Sequence, residues 1–257
     1  MRILSEIEKQ HGVKILYAVE AGSRAWGYES DHSDYDVRFI YVQPVRHYLS
    51  LHHEKDVIEI QQNEVDFVGW DIKKALSLLH KSNPSALEWL TEENIYLEHQ
   101  TVGKIRDLAI KGFSPFTVTS HYYQMATKNM RFVSQQPFTD VKKWLNVIRP
   151  VLSCLWIEKF QSSPPNNLSA MLSELELKEA FKEDIEKVLQ LKKKGVSEVA
   201  LNTIPSLFKE TNDELVRIED HLKNCRRNKQ GNIKDFEEVF HVILEEIGGM
   251  KALYSIN

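Results

Sequence analysis

Apolar and polar residues alternate through the first hundred positions in a pattern that predicts a β-sheet. Residues 14–22, KILYAVEAG, form an apolar run that ends at a glycine, which is typical of a buried strand. Residues 34–42, DYDVRFIYV, predict a second strand. Residues 57–70 alternate on both sides of a Gln-Gln-Asn turn, which predicts a hairpin with residues 64–68 as its second arm. A short amphipathic helix is expected at residues 2–11, before the first strand.

Helical periodicity replaces the strand pattern further along the chain. Asp71 and Asn83 each precede an amphipathic segment and are expected to cap the helices that follow. Beyond about residue 99, six segments carry apolar residues at helical spacing, and the loops between them contain Pro and Gly. The pattern therefore predicts an α/β domain at residues 1–112, followed by a helical domain at residues 113–257.

Composition is that of a folded protein with ordinary surface charge. Of the 257 residues, 42% are hydrophobic and 27% charged, which is enough to bury a core and excludes intrinsic disorder. The net charge of −4 argues against a surface coated with positive charge for non-specific nucleic-acid binding, although 33 Lys and Arg leave room for a basic cleft.

Cysteine usage and hydropathy bear on where the protein works. Cys154 and Cys225 are far apart and form no C-x-x-C pair, so they predict two free thiols in a reducing, cytoplasmic setting and not a zinc site. The first residues, MRILSEIEKQHG, do not resemble a secretory signal. Because no apolar run approaches ~20 residues, no membrane span and no membrane partner are expected.

Gly22 and Ser23 stand at the end of the first predicted strand and are candidates for a phosphate-binding turn. Glycine permits a tight turn and close backbone approach by a ligand. Free backbone N–H groups at such a turn favour an anion, the Ser23 hydroxyl adds a donor, and Arg24 adds a positive charge. Taken alone, Gly-Ser is more often a plain strand-to-helix turn, so this pair by itself is a weak motif.

Paired carboxylates at Asp34 and Asp36 are the second candidate feature. Residues two apart on a strand point to the same face, so the two side chains are expected to project together and to repel each other unless a cation lies between them. Magnesium or manganese suits such oxygen ligands. Asp66 lies between two apolar residues on the later strand and completes a three-carboxylate site, with Glu64 on the same face as the competing candidate. The alternative for Asp-x-Asp is a solvated strand edge.

These features occur together in an order that resembles a known superfamily. Gly-Ser, ten intervening residues, Asp-hydrophobic-Asp and a lone Asp on a later strand resemble the DNA polymerase beta-like nucleotidyltransferases. The string AGSRAWGYESDHSDYDVRFIYV resembles their YcgL/RlaP-type predicted nucleotidyltransferases, a likeness that continues through EVDFVGWDIKKALSLLHKSNPSALEWL and KKWLNVIRPVLSCLWIEKF. It covers most of the chain, although residues beyond about 165 add little diagnostic pattern. The resemblance implies an α+β fold, with a mixed-sheet nucleotidyltransferase catalytic domain followed by an all-helical substrate- and nucleotide-binding domain.

The resemblance also implies a reaction and roles for the acidic residues. Members of the superfamily transfer a nucleoside monophosphate from a nucleoside triphosphate to an acceptor and release pyrophosphate. By this likeness, Asp34 and Asp36 would hold two divalent ions, Mg²⁺ or Mn²⁺. Asp66 would hold the ion that activates the acceptor hydroxyl or act as its base, and Gly22 and Ser23 would grip the triphosphate.

In two-domain relatives the helical domain supplies further contacts to the nucleotide. The candidates here are Tyr122, Lys128, Lys143 and Arg149. A solvated basic face is the competing interpretation for each of them. Arg149 is the best candidate, because a charge inside an apolar helix needs a partner.

Two other functions fit the same residues. A nucleotide-sensing module of this fold would bind a triphosphate without turnover, and a toxin–antitoxin component would transfer a nucleotide to a partner protein. The intact acidic trio argues against the first, and the large helical half argues against the second. The acceptor is open: an RNA end, a small molecule and a protein side chain all suit the residues, while the net acidity slightly disfavours a long duplex.

Overall fold

The computed structural model describes residues 2–51, 55–62, 64–133, 138–225 and 231–248. In chain order, the elements are α1 (Arg2–His11), β1 (Lys14–Ala21), α2 (Gly22–Ala25), β2 (Tyr35–Val42), α3 (Val45–Tyr48), β3 (Val57–Gln62), β4 (Val65–Asp71), α4 (Ile72–His80), α5 (Pro84–Thr91), β5 (Ile95–Glu98), α6 (Val102–Lys111), α7 (Pro115–Val133), β6 (Phe138–Asp140), α8 (Val141–Phe160), α9 (Leu168–Glu174), α10 (Glu179–Lys193), β7 (Glu198–Ala200), α11 (Pro205–Asn224) and α12 (Ile233–Gly248).

The chain divides into two compact units. Of the described residues, 2–22, 34–113 and 231–248 form the sheet unit, and 23–33 and 114–225 form the helical unit. The predicted domains were continuous in sequence, whereas these units exchange two segments. Residues 23–33, most of the connection between β1 and β2, belong to the helical unit, and α12 belongs to the sheet unit.

Within the described residues, five strands of the sheet unit form one sheet in the order β3-β4-β2-β1-β5. Strands β2 and β4 run parallel, and every other neighbouring pair is antiparallel. This arrangement confirms the predicted α+β fold with a mixed sheet. The predicted hairpin is β3–β4, although Asn63 of its turn lies outside the described residues. The edge strand β5 was not predicted, because it has only four residues and little burial to impose a pattern.

Local sequence explains how the sheet unit is assembled. Strand β1 is buried along almost its whole length, and the apolar face of α1 packs into the same core. Gly69 lets the Phe39 ring lie against β4, since a Cβ at this position would meet that ring at 2.1 Å. Both predicted helix caps are confirmed: the Asp71 carboxylate accepts from Lys73 N at 2.8 Å, and Asn83 caps α5.

The helical unit is built on the long helices α7 and α8. Thirteen residues of α8 are buried, so it forms the centre of this unit. A short antiparallel ribbon, β6–β7, also belongs to it, a detail that helical periodicity did not predict. The loop of residues 23–33 is held here by a hydrogen bond from Leu168 N to Trp26 O at 3.0 Å. Among the described helices, none combines the length and the apolar character needed to span a bilayer.

Candidate active site

Asp36 and Asp66 lie side by side on neighbouring parallel strands. The register between β2 and β4 makes them direct partners, although thirty residues separate them in sequence. Phe67 is buried in the core and Val65 packs against it, so Asp66 faces the other side of the strand, as the alternation predicted. The side chains of Asp36 and Asp66 are 26% and 34% exposed, so solvent and solutes reach both carboxylates.

An arginine that the sequence analysis did not single out lies between these two carboxylates. Arg38 Nη2 is 2.8 Å from Asp36 Oδ1 and 3.1 Å from Asp66 Oδ2. Its Nη1 donates to Asp66 O at 3.0 Å. The repulsion between the carboxylates of Asp36 and Asp66 is therefore relieved by a guanidinium in this structure. Strand periodicity was the available clue, because Arg38 follows Asp36 by two residues and shares its face.

Gly22 lies directly against the carboxylate of Asp36. Its φ is +63°, a left-handed conformation that L side chains rarely adopt. A Cβ at this position would be 1.9 Å from Asp36 Oδ2. Glycine is therefore required twice, once for the turn after β1 and once for the close approach of Asp36.

Glu20 holds the backbone of Asp36 in position. Its Oε1 accepts from Asp36 N at 3.1 Å, and its Oε2 accepts a short hydrogen bond from the Tyr96 hydroxyl on β5. Glu20 is only 4% exposed. Sequence reasoning missed this residue, although a lone acid in the apolar run KILYAVEAG marks a buried carboxylate that needs partners.

The other two acidic candidates lie at the ends of the same strands. Strand β2 begins at Tyr35, so Asp34 lies one residue before the strand, and it is exposed. Glu64 also lies one residue outside its strand and is exposed, and its carbonyl accepts from Tyr35 N. The ion pairs of Arg38 thus join Asp36 to Asp66 and include neither Asp34 nor Glu64.

Ser23 and Arg24 belong to the loop of the helical unit. Arg24 Nη2 donates to Ser33 O at 2.9 Å, and Ser23 O accepts from Tyr28 N at 3.1 Å. These bonds close residues 23–33 into a compact loop. In this structure, Arg24 therefore has a structural contact, and the triphosphate contacts of both residues stay predictions.

The four candidates on the long helices divide into two buried and two exposed side chains. Tyr122 and Arg149 are 1% and 5% exposed, whereas Lys128 and Lys143 are exposed. The Arg149 guanidinium lies 4.0 Å from the centre of the Trp26 ring, a cation–π contact that meets the expected need for a partner. Tyr122 is buried because it lies on the inward face of α7.

A divalent ion at the position of Arg38 Nη2 would have two carboxylates as ligands, Asp36 on β2 and Asp66 on β4. Among the described residues, no group of three or more His, Cys, Asp or Glu side chains is placed to hold a metal. One oxygen each from Asp36 and Asp66 nevertheless lies within 3.1 Å of a single atom, Arg38 Nη2. Magnesium is commonly held by one or two carboxylates together with substrate phosphates. The pair fits such an ion at the position that the guanidinium now takes.

Comparison with known proteins identifies the family. The family described as RlaP, RNA repair pathway DNA polymerase beta family, matches residues 1–242. The chain belongs to this family. Membership of this family suggests a polymerase beta-like nucleotidyltransferase.

Two individual proteins are also similar to this chain. The Bacillus subtilis (strain 168) protein named "Uncharacterized protein YcgL" is 37% identical over 246 residues, which cover 95% of each chain. A crystal structure of a nucleotidyltransferase-like protein from Exiguobacterium sibiricum 255-15 is 11% identical, with a TM-score of 0.32 over 95% of this chain and 78% of that one.

Proposed function

We propose that this chain is a divalent-metal-dependent nucleotidyltransferase that moves a nucleoside monophosphate from a nucleoside triphosphate to an acceptor hydroxyl and releases pyrophosphate. The observation that supports it most is the convergence of Asp36 and Asp66 on one cation position, next to the Gly22 turn. Family membership supports the reaction class.

The roles proposed for Asp36 and Asp66 rest on this geometry, and the role proposed for Asp34 rests on the superfamily resemblance. Asp36 and Asp66 share one ion, Mg²⁺ or Mn²⁺, and Asp34 completes the binding of a second. Two such ions, when bound, stabilise the attacking and leaving oxygens of an in-line displacement. Asp66 orients the acceptor hydroxyl or takes its proton. Glu20 positions Asp36 by accepting a hydrogen bond from the Asp36 backbone N–H.

The triphosphate and acceptor contacts complete the proposal. Gly22 and Ser23 present backbone N–H groups to the triphosphate, with Arg24 as the nearby cation. Of the four candidates in the helical unit, Lys128 and Lys143 are the preferred nucleotide contacts, because they are exposed whereas Tyr122 and Arg149 are buried. The acceptor is an RNA end, a small molecule or a protein. The two cysteines, both free thiols, support a reducing, cytoplasmic setting.

Metal-dependent pyrophosphate release tests this function. Each of the four nucleoside triphosphates is incubated with Mg²⁺ or Mn²⁺ and with RNA ends, sugars or proteins as acceptors. We expect Asp36→Asn to lower the rate by roughly 100-fold or more, because catalysis of this kind depends on charge neutralisation. Asp56→Asn makes the same chemical change at an exposed carboxylate of the sheet unit and is expected to keep wild-type activity. Equal activity of Asp36→Asn and wild type per folded molecule would contradict the proposed site.

A second candidate function is a nucleotide-binding module without turnover. The observation that favours it is the guanidinium of Arg38 at the cation position. Triphosphate binding by calorimetry, with no pyrophosphate release for any nucleotide and acceptor, would support the module over the enzyme.

A further inference from the structure

We propose that Arg38 is an internal competitor of the metal ion, which occupies the cation position between Asp36 and Asp66 until a divalent ion and a triphosphate arrive together. This inference rests on the proposed function and adds to it the regulation of the same site. Its consequence is that the protein binds metal weakly by itself and tightly in the presence of the triphosphate.

The guanidinium has four acceptors in its present position. It donates to the Asp36 and Asp66 carboxylates, and also to two backbone carbonyls, those of Val37 and Asp66, at 3.3 and 3.0 Å. The Arg38 side chain is only 18% exposed. Charge-assisted bonds of this kind are stronger than neutral ones, so the position is strongly held.

The guanidinium and a shared divalent ion exclude each other. Mg²⁺ lies about 2.0–2.1 Å from its oxygen ligands, and the oxygens it would use are those of Asp36 and Asp66 that now face Arg38 Nη2. The like charges of the ion and the guanidinium also repel at this distance. A bound ion between the carboxylates therefore requires Arg38 to leave.

A triphosphate removes the penalty for that movement. Once displaced, a partly buried guanidinium needs new anionic acceptors, and its forked N–H groups match phosphate oxygens well. Metal alone leaves Arg38 without such acceptors, whereas a metal–triphosphate complex brings them. The two ligands are therefore coupled, and each strengthens the binding of the other.

Binding of Mn²⁺, followed by electron paramagnetic resonance of the free ion, measures this coupling without catalysis. The variant is Arg38→Gln, and the control is Arg46→Gln, which makes the same charge change at an exposed residue of the sheet unit. We expect Arg38→Gln to bind Mn²⁺ alone about 10- to 100-fold more tightly than wild type, because the competing state is removed. Arg46→Gln is expected to match wild type. A non-hydrolysable triphosphate analogue should tighten Mn²⁺ binding more in wild type than in Arg38→Gln.

The possible results separate this inference from the proposed function. If Asp36→Asn abolishes Mn²⁺ binding but Arg38→Gln leaves the affinity unchanged or weaker, the inference is wrong and the metal site stands. If Asp36→Asn has no effect on Mn²⁺ binding in any background, the metal site and the inference are both wrong. Circular dichroism checks the fold of each variant. Should Arg38→Gln not fold, Arg38→Met is measured in its place, because it also removes the positive charge, and an Mn²⁺ affinity no higher than wild type would then refute the inference.

Discussion

Replacement of Gly22 by alanine separates two demands that the structure places on one residue. The first is the left-handed backbone, with φ at +63°, and the second is the contact with Asp36. Gly12 provides a matched control in the same unit, because its φ is +64° and an added Cβ would meet nothing within 4 Å. Gly12→Ala therefore reports the backbone strain alone, whereas Gly22→Ala reports the strain together with the collision.

The expected magnitudes follow from these geometries. A left-handed conformation costs an L residue about 1–2 kcal/mol, which is the expected loss of unfolding free energy in Gly12→Ala. In Gly22→Ala, the new Cβ would start 1.9 Å from Asp36 Oδ2, and the carboxylate must retreat by about 1 Å or more. This movement breaks the 2.8 Å contact between Asp36 and Arg38. Because Asp36 is partly exposed, we expect a further loss of about 1–2 kcal/mol and not the larger value of a fully buried charged hydrogen bond.

Urea denaturation followed by circular dichroism measures both variants. Gly22→Ala should lose about 1–2 kcal/mol more than Gly12→Ala, and its displaced Asp36 should also weaken Mn²⁺ binding in the presence of a triphosphate analogue. Gly12→Ala should bind Mn²⁺ like wild type. Equal stability of the two variants, with equal Mn²⁺ affinity, would refute the close approach of Gly22 to Asp36.

The remaining predictions concern the helical unit. Hydrogen bonding from Arg217 lowers the pKa of Glu158 in the folded protein. The ion pair therefore stabilises the fold at pH values above the pKa of this carboxyl in the unfolded chain. This contribution is lost as the pH falls through the lower pKa of the folded state. Glu158→Gln should therefore be less stable than wild type at pH 7. The expected loss is about 1 kcal/mol or less, because both side chains are about a third or more exposed. A difference in urea midpoint that is the same at neutral and at strongly acidic pH would contradict this prediction. Trp26→Leu removes the aromatic ring that contacts buried Arg149 and should lower the free energy of unfolding by about 2 kcal/mol. Trp26→Phe should retain part of this cation–π contact. A urea midpoint of Trp26→Leu equal to that of wild type would refute the contact.

Short-range patterns predicted much of the sheet unit. The apolar run at residues 14–22, the alternation at 57–70 and the caps at Asp71 and Asn83 depend on neighbours within a few positions, and the structure confirms each of them in the described residues. Strand β5 was not predicted, because it depends on contacts with a distant part of the chain. It is short and largely exposed, and it exists because its backbone pairs with β1, about eighty residues earlier.

At the acidic site, too, some residues were predictable from nearby sequence and others depended on pairing between distant strands. The sequence identified Asp36 and Asp66, because strand alternation and motif spacing point to them. The choice between Asp66 and Glu64 as the neighbour of Asp36 depended on where β4 begins and on its register with β2. Both were decided by pairing between distant segments. The metal-binding roles of Asp34, Asp36 and Asp66 stay predictions.

The sequence by itself determined most strands and helices of the sheet unit, the glycine turn and the presence of acids on β2 and β4, since these follow from periodicity and local backbone preference. Only the tertiary structure decided what lies between the acids. Arg38 shares a face with Asp36 by periodicity, but its second partner, Asp66, comes from a strand that is adjacent only through the parallel pairing of β2 with β4. The strength of an ion pair depends on the distance between the charges in space, and here this distance is set by the register of two strands that are far apart in sequence.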